Sequence, residues 1–220
     1  MKGVKILITA GPTHENIDPV RFIGNYSSGK MGYALAESCA ARGAEVILVS
    51  GPVSMEIDHP SIHVIKVIST DQMYKKCINF FKGCNAAMMT AAVADFTPVK
   101  SSRSKIKRTK NKLSLELKPT PDIAARLGQM KSDSQVLVGF ALETENEIRN
   151  ARKKLEKKNL DFIVLNSLKD EGAGFGKDTN KITIIDRHNN IRDYELKPKK
   201  ELAEDIVDEL EKWLDVADEG

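Results

Sequence analysis

The chain has 220 residues, 41% of them hydrophobic and 5% aromatic, with 34 Lys+Arg against 31 Asp+Glu, which describes one globular domain over residues 1–220 and excludes disorder and collagen. The net charge of +3 is too small to argue for nucleic acid, and with no apolar run near the roughly 18 residues of a membrane span the expectation is a cytoplasmic protein with neither membrane nor nucleic-acid contact. Cys39, Cys77 and Cys84 form no C-x-x-C pair and the four histidines show no ligand spacing, so neither a disulfide framework nor a zinc site is expected.

Short apolar runs alternate with stretches of helical period, the pattern of an α/β domain with a mainly parallel, doubly wound sheet. The first strand, Val4–Ala10, leads through Gly11-Pro12-Thr13 into a long loop that ends Asn25-Tyr26-Ser27-Ser28-Gly29-Lys30-Met31-Gly32. A helix over Gly29–Arg42 follows. Ser27 or Ser28 can cap it, and its glycines let backbone approach an anion at the helix N-terminus. Strands are read at Glu45–Ser50 and Ile62–Val67, a helix at Asp71–Phe81, and a central strand, apolar without alternation, at Ala86–Ala91. Next comes the block from Val99 to Lys118, in which eight basic residues face the single Glu116 without interleaved aromatics. It reads as a projecting β-hairpin arm, Lys105–Arg108 and Leu113–Lys118 flanking Thr109-Lys110-Asn111-Lys112. Helices follow at Pro121–Gln129 and Glu145–Lys158, strands at Val136–Ala141 and Phe162–Asn166, and a second hairpin, outside the sheet core, at Lys181–Arg187 and Ile191–Leu196. The acidic C-terminal block repeats Leu202, Ile206, Leu210 and Leu214 and reads as an amphipathic helix over Lys200–Trp213.

In doubly wound sheets ligands bind beyond the carboxyl ends of the strands. Three familiar motifs nearly fit the first loop. Gly24-x4-Gly29-Lys30 has the spacing of a P-loop, but Met31 stands where a magnesium-ligating hydroxyl belongs. The dinucleotide fingerprint is missing, and Ser50-Gly51-Pro52 occupies the place of its ribose-binding acid. Tyr26-x3-Lys30 mimics a dehydrogenase dyad in the wrong element, so an NADP oxidoreductase is the disfavoured alternative.

Taken in order, ITAGPTHENIDPVRFIGNYSSGKMG, RGAEVILVSGP, AAVADF, SKIKR, KPTPDI, GFALET and KKNLDFIVLN resemble phosphopantothenoylcysteine synthetase, the phosphopantothenate–cysteine ligase of coenzyme A biosynthesis, across nearly the whole chain. The resemblance implies a Rossmann-like fold with an arm that dimerises. It also implies a ligase that activates 4′-phosphopantothenate with a nucleotide, releases pyrophosphate and joins cysteine through an amide. CTP, with Mg²⁺, is the expected co-substrate, ATP being the alternative. In this resemblance Asn25 serves the conversion of the acyl-nucleotidylate and Lys105 the activation. Met89, Thr90, Ala91, Asp95, Pro121, Asp122, Ile123, Ala124, Phe140, Lys154 and Lys158 match the nucleotide site, Asp95 also the metal, and Ser27, Ser28, Gly29 and Lys30 match the phosphate-binding turn. Because the chain opens directly at the first strand, a stand-alone synthetase is expected, with a separate flavin-dependent decarboxylase acting on its product. Arg108 departs from the lysine usual at the end of SKIKR.

Overall fold

Strand and helix periods in this sequence resolve into an alternating layout in the computed structural model, which describes residues 1–108, 112–167 and 177–218. In chain order the elements are β1 Lys5–Ala10, β2 His14–Asn16, β3 Phe22–Gly24, α1 Lys30–Ala41, β4 Glu45–Ser50, β5 Ile62–Lys66, α2 Thr70–Phe81 and β6 Ala86–Met89. They continue with β7 Phe96–Pro98, β8 Leu117–Pro119, α3 Ile123–Met130, β9 Val136–Glu143, α4 Glu147–Lys157, β10 Phe162–Ser167, β11 Thr179–Asp186, β12 Ile191–Pro198 and α5 Lys199–Asp218.

The main sheet has the order β12-β11-β10-β9-β6-β1-β4-β5. From β5 to β10 the strands are parallel, and β11 and β12 add an antiparallel edge. Period-two alternation splits the core. Ile6, Ile8, Val46, Leu48, Met88, Val138 and Val164 pack under α1 and α5, whereas Leu7, Ile47, Val49, Ala87, Leu137, Ile163 and Leu165 pack under α2, α3 and α4. β6 is buried along its length between β1 and β9, as its unalternating apolar run requires. The chain leaves β1 toward β4 and returns to β6 on the other side, so the strand order reverses between β1 and β6. A crevice for ligand opens at such a reversal.

Four expectations change. The hairpin at 181–196 is not outside the core: β11 pairs with β10 and buries Ile182, Ile184 and Ile185, and Asn189 takes its turn at φ 66°. The arm is not a hairpin of Lys105–Arg108 with Leu113–Lys118. Its ladder lies at the root, β7 against β8, because the intervening polar groups bond elsewhere: Ser102 N–H donates to Ile17 O and the Ser101 hydroxyl to Asn16 O. The turn residues Thr109, Lys110 and Asn111 lie outside the described residues. Neither Ser27 nor Ser28 caps α1; Gly29 is the N-cap at φ 80°, with no side-chain cap hydrogen bond to the helix, and the Ser27 hydroxyl accepts from Gly29 N–H at 3.4 Å. Pro121 does not start α3 either, since the Asp122 carboxylate caps it by accepting from Ala125 N–H at 3.1 Å.

Candidate active site

Two adjoining cavities open at the carboxyl ends of β1, β6 and β9. The first, about 180 Å³, is lined by Ser27 to Gly32, Thr90 to Ala92, Phe140 to Leu142, Asn166, Asn180 and Lys199. The second, about 370 Å³, is lined by Thr9, Met89, Ala91 to Val93, Asp95, Thr120 to Ala124, Gly139, Phe140, Lys154, Lys158, Leu160 and Ile163. Ala91, Ala92 and Phe140 belong to both and form the seam between them. The structure thus brings Met89, Ala91, Asp95, Pro121, Asp122, Ile123, Ala124, Phe140, Lys154 and Lys158 around one cleft and Ser27, Ser28, Gly29, Lys30 and Thr90 around the other.

The first cavity is built for an anion. α1 begins with neither a side-chain cap nor an acidic residue in its first turn, so its free N–H groups and positive dipole end face the space lined by Gly29 to Gly32. The helix can come this close because Gly32 lies against Ala10 and Thr90. The Lys30 ammonium is held by Asp178 at 2.5 Å, and that hydrogen bond keeps the Asp178 carboxyl below its ordinary range. Lys199 stands nearby; partial burial, together with the charge of Lys30, lowers its pKa.

In the second cavity the lysines are set by carboxylates. Lys154 reaches Glu143 at 2.6 Å and Lys158 reaches Asp122 at 3.1 Å. Asp122 is thereby committed to a helix cap and a lysine, while the carboxylate of the exposed Asp95 has no hydrogen-bond or ion-pair partner among the described residues. Asp95 is placed by its backbone: Thr120 N–H donates to Asp95 O at 3.0 Å and the Thr120 hydroxyl to Ala94 O at 2.6 Å.

Asn25 stands at the seam, its Nδ2 donating to Ala92 O at 2.9 Å and Val93 O at 3.1 Å. Both donors of the amide are used, which leaves Oδ1 as the group for a ligand. Behind it the loops after β1 and β6 are locked by buried bonds, Ala94 N–H to the Thr13 hydroxyl and Thr70 N–H to the Glu15 carboxylate. Lys105 lines neither cavity; it is exposed on the arm. Asn166, Asn180 and Lys199 were not among the residues expected here. Asn166 lies at the carboxyl end of β10, where ligands of such sheets are expected, but Asn180 and Lys199 arrive from the edge hairpin and the start of α5, and no local pattern announces them.

The family described as the DNA/pantothenate metabolism flavoprotein C-terminal domain matches residues 1–214. A cysteine/cysteine sulfinic acid decarboxylase of an unknown prokaryotic organism is 57% identical over 207 residues, 94% of this chain and 58% of that protein. The coenzyme A biosynthesis bifunctional protein CoaBC of Bacillus subtilis (strain 168) is 45% identical over 210 residues, 96% of this chain and 52% of that protein. The chain therefore spans about half the length of the curated relatives it matches. Among solved structures, the C-terminal domain of a CoaBC protein superposes with a TM-score of 0.83 at 40% identity, covering 98% of this chain and 97% of that one.

Proposed function

Since the chain belongs to the family of the DNA/pantothenate metabolism flavoprotein C-terminal domain, we propose that it is a phosphopantothenate–cysteine ligase of coenzyme A biosynthesis. The observation that carries this reading is the seam: an uncapped helix N-terminus suited to a phosphate and a larger cleft share one wall, and Asn25 is fastened to it. A two-step ligase needs that adjacency, because a carboxylate in one cavity must reach the α-phosphorus of a nucleotide in the other.

In the first step the carboxylate of 4′-phosphopantothenate attacks the α-phosphorus of CTP, the bond to the β-phosphate oxygen breaks, and pyrophosphate leaves. In the second the cysteine amine attacks the activated carbonyl, CMP departs and the amine loses a proton. Lys154 and Lys158 offset the charge of the nucleotide, and Lys105 supplies a further cation during activation. Oδ1 of Asn25 is placed to accept from the incoming amine. Bound Mg²⁺ would neutralise phosphate oxygens; Asp95 is the carboxylate available to hold it, and a single carboxylate plus substrate phosphates suits that ion. A homodimer, with the arm at its interface, completes the reading, and the exposed Phe22, Tyr26, Phe96, Val99, Leu113 and Leu117 support it. No helix among the described residues is long and apolar enough to cross a membrane, which suits a reaction in the cytoplasm. A flavin-dependent decarboxylase would take the product.

The test is pyrophosphate release with 4′-phosphopantothenate, Mg²⁺ and either CTP or ATP, with and without cysteine, alongside carbon dioxide release from cysteine alone. Release that depends on the acid, is faster with CTP, and yields amide when cysteine is added is the expected result. Carbon dioxide from cysteine without nucleotide would replace the ligase reading by the activity that the 57%-identical relative's name carries.

A further inference from the structure

Asn180 is a polar residue of the first cavity with unfinished bonding. It is 5% exposed, its Nδ2 donates to Asn166 Oδ1 at 2.6 Å, and its own Oδ1 is buried with no hydrogen-bond partner among the described residues. Such an oxygen is costly to leave unpaired. The β11–β12 register shifts between Asn180 and Ile182, a bulge of the kind that re-aims a side chain beside a site. Asn166 then fixes the amide's orientation, so that the acceptor is held in place while its donor side is occupied.

What can satisfy it follows from chemistry. A phosphate or carboxylate only accepts, so the anion expected at the N-terminus of α1 cannot serve Oδ1. The ligand must bring a neutral O–H or N–H close to its anionic end. In 4′-phosphopantothenate the secondary hydroxyl lies on the third carbon from the phosphate ester oxygen, ahead of the amide N–H and far ahead of the carboxylate. A residue that shares a cavity with the phosphate-binding turn meets the hydroxyl first. Resting on the ligase reading above, we propose that Asn180 is a specificity-determining residue whose Oδ1 accepts the hydroxyl of the phosphorylated acid. The cavity thereby selects hydroxy acids over acids of the same shape and charge that lack that group.

Calorimetry on the full chain would compare 4′-phosphopantothenate with its analogue carrying hydrogen in place of that hydroxyl, for wild type, Asn180→Ala, Asn180→Leu and Asn180→Asp. Wild type should prefer the hydroxyl compound by about tenfold or more, as expected when a buried acceptor loses its donor. The preference should fall to within about twofold of unity in Asn180→Ala and in the volume-matched Asn180→Leu, and persist in Asn180→Asp, which keeps an acceptor. The readout is a ratio, so a general loss of affinity does not imitate it. A wild-type ratio near unity overturns the inference, even if every variant unfolds, and so does a ratio unchanged in Asn180→Ala or Asn180→Leu. Turnover separates it from its premise. Discrimination through Asn180 without pyrophosphate release sinks the ligase reading alone, amide formation with an unchanged ratio sinks this inference alone, and no binding of either acid sinks both.

Discussion

A methyl group on Gly32 would lie 2.6 Å from Ala10 Cβ and 2.7 Å from Thr90 Oγ1. Neither neighbour is the end of a flexible side chain, so α1 would have to back away from β1. Gly32→Ala is expected to cost roughly 1–3 kcal/mol, lowering Tm by roughly 3–10 °C in a chain of this length, and to weaken the acid's binding because the wall that moves belongs to the first cavity. Differential scanning calorimetry checks the first effect and titration with 4′-phosphopantothenate the second; an unchanged Tm would mean that the helix does not need this approach. Asn25 acts through a different property. Its Nδ2 holds two carbonyl oxygens, and Asn25→Asp would set a carboxylate oxygen against both of them beside the reacting acyl phosphate. Amide formation should fall by at least ~100-fold, while a single turnover with CTP still releases pyrophosphate. If release failed together with the amide, Asn25 would belong to the activation step.

At the scale of elements, the arm is held by a short local device. Asp18 is buried, accepts from Val20, Arg21 and Ile106 N–H groups at 2.8, 2.9 and 3.1 Å, and pairs with the Arg21 guanidinium, which donates in turn to Ile106 O at 3.0 Å. Arg21 first, and then the backbone donors, hold the Asp18 carboxyl well below the ordinary range. A depressed carboxyl pKa means that the charged form is favoured in the fold. The contribution is therefore complete above the usual Asp value and is lost only as pH falls through the folded one. Ile106 amide protection in hydrogen exchange should persist from pH 7 to about 4, the usual Asp value, weaken progressively below it, and be lost only well below it, as the folded carboxyl takes up its proton. Asp18→Ala should lose it at every pH and speed tryptic cleavage after Lys105 at least tenfold. Protection that survives in Asp18→Ala would assign the mooring to Ser101 and Ser102 alone. None of this was legible in the sequence, where the arm's charge and its turn residues suggested a self-paired hairpin; the bonding of 101–106 to the end of β2 and the β2–β3 connection is a long-range choice. The parallel strands and their helices were legible because burial on two faces imposes a period that any window shows. α1 and α3 begin one and two residues later than read, where Gly29 and Asp122 stand as the N-caps. Most of the site was legible for the same reason, since it lies at strand ends, but β11 carries Asn180 in from an edge hairpin whose buried isoleucines look locally like any exposed two-stranded ribbon.

In the homodimer proposed above, the question is which site Lys105 serves. It lines neither cavity of its own protomer, and its neighbour Ile106 is bonded through both N–H and C=O to Asp18 and Arg21. Swinging Lys105 into its own cleft would break those bonds; delivering it to a second copy docked on the exposed apolar surface around Phe22, Phe96 and Leu117 would not. Lys105→Gln alone should lower pyrophosphate release by ~100-fold or more with fold and dimer intact, since the side chain is exposed. The direct check is complementation. Homodimers of Asn25→Asp and of Lys105→Gln are each expected to be nearly inactive in amide formation. In a mixed dimer with the arm acting across the interface, one site combines an intact Asn25 with the intact Lys105 of the other chain, so activity should return to a sizeable fraction of one wild-type site. If each arm served its own protomer, both sites of the mixed dimer would carry a lesion and no activity would return. Purified heterodimers, separated by two affinity tags and assayed for amide product, decide between these outcomes; silence in a heterodimer of proven composition would place Lys105 back on its own cleft and require the Asp18 mooring to open during turnover.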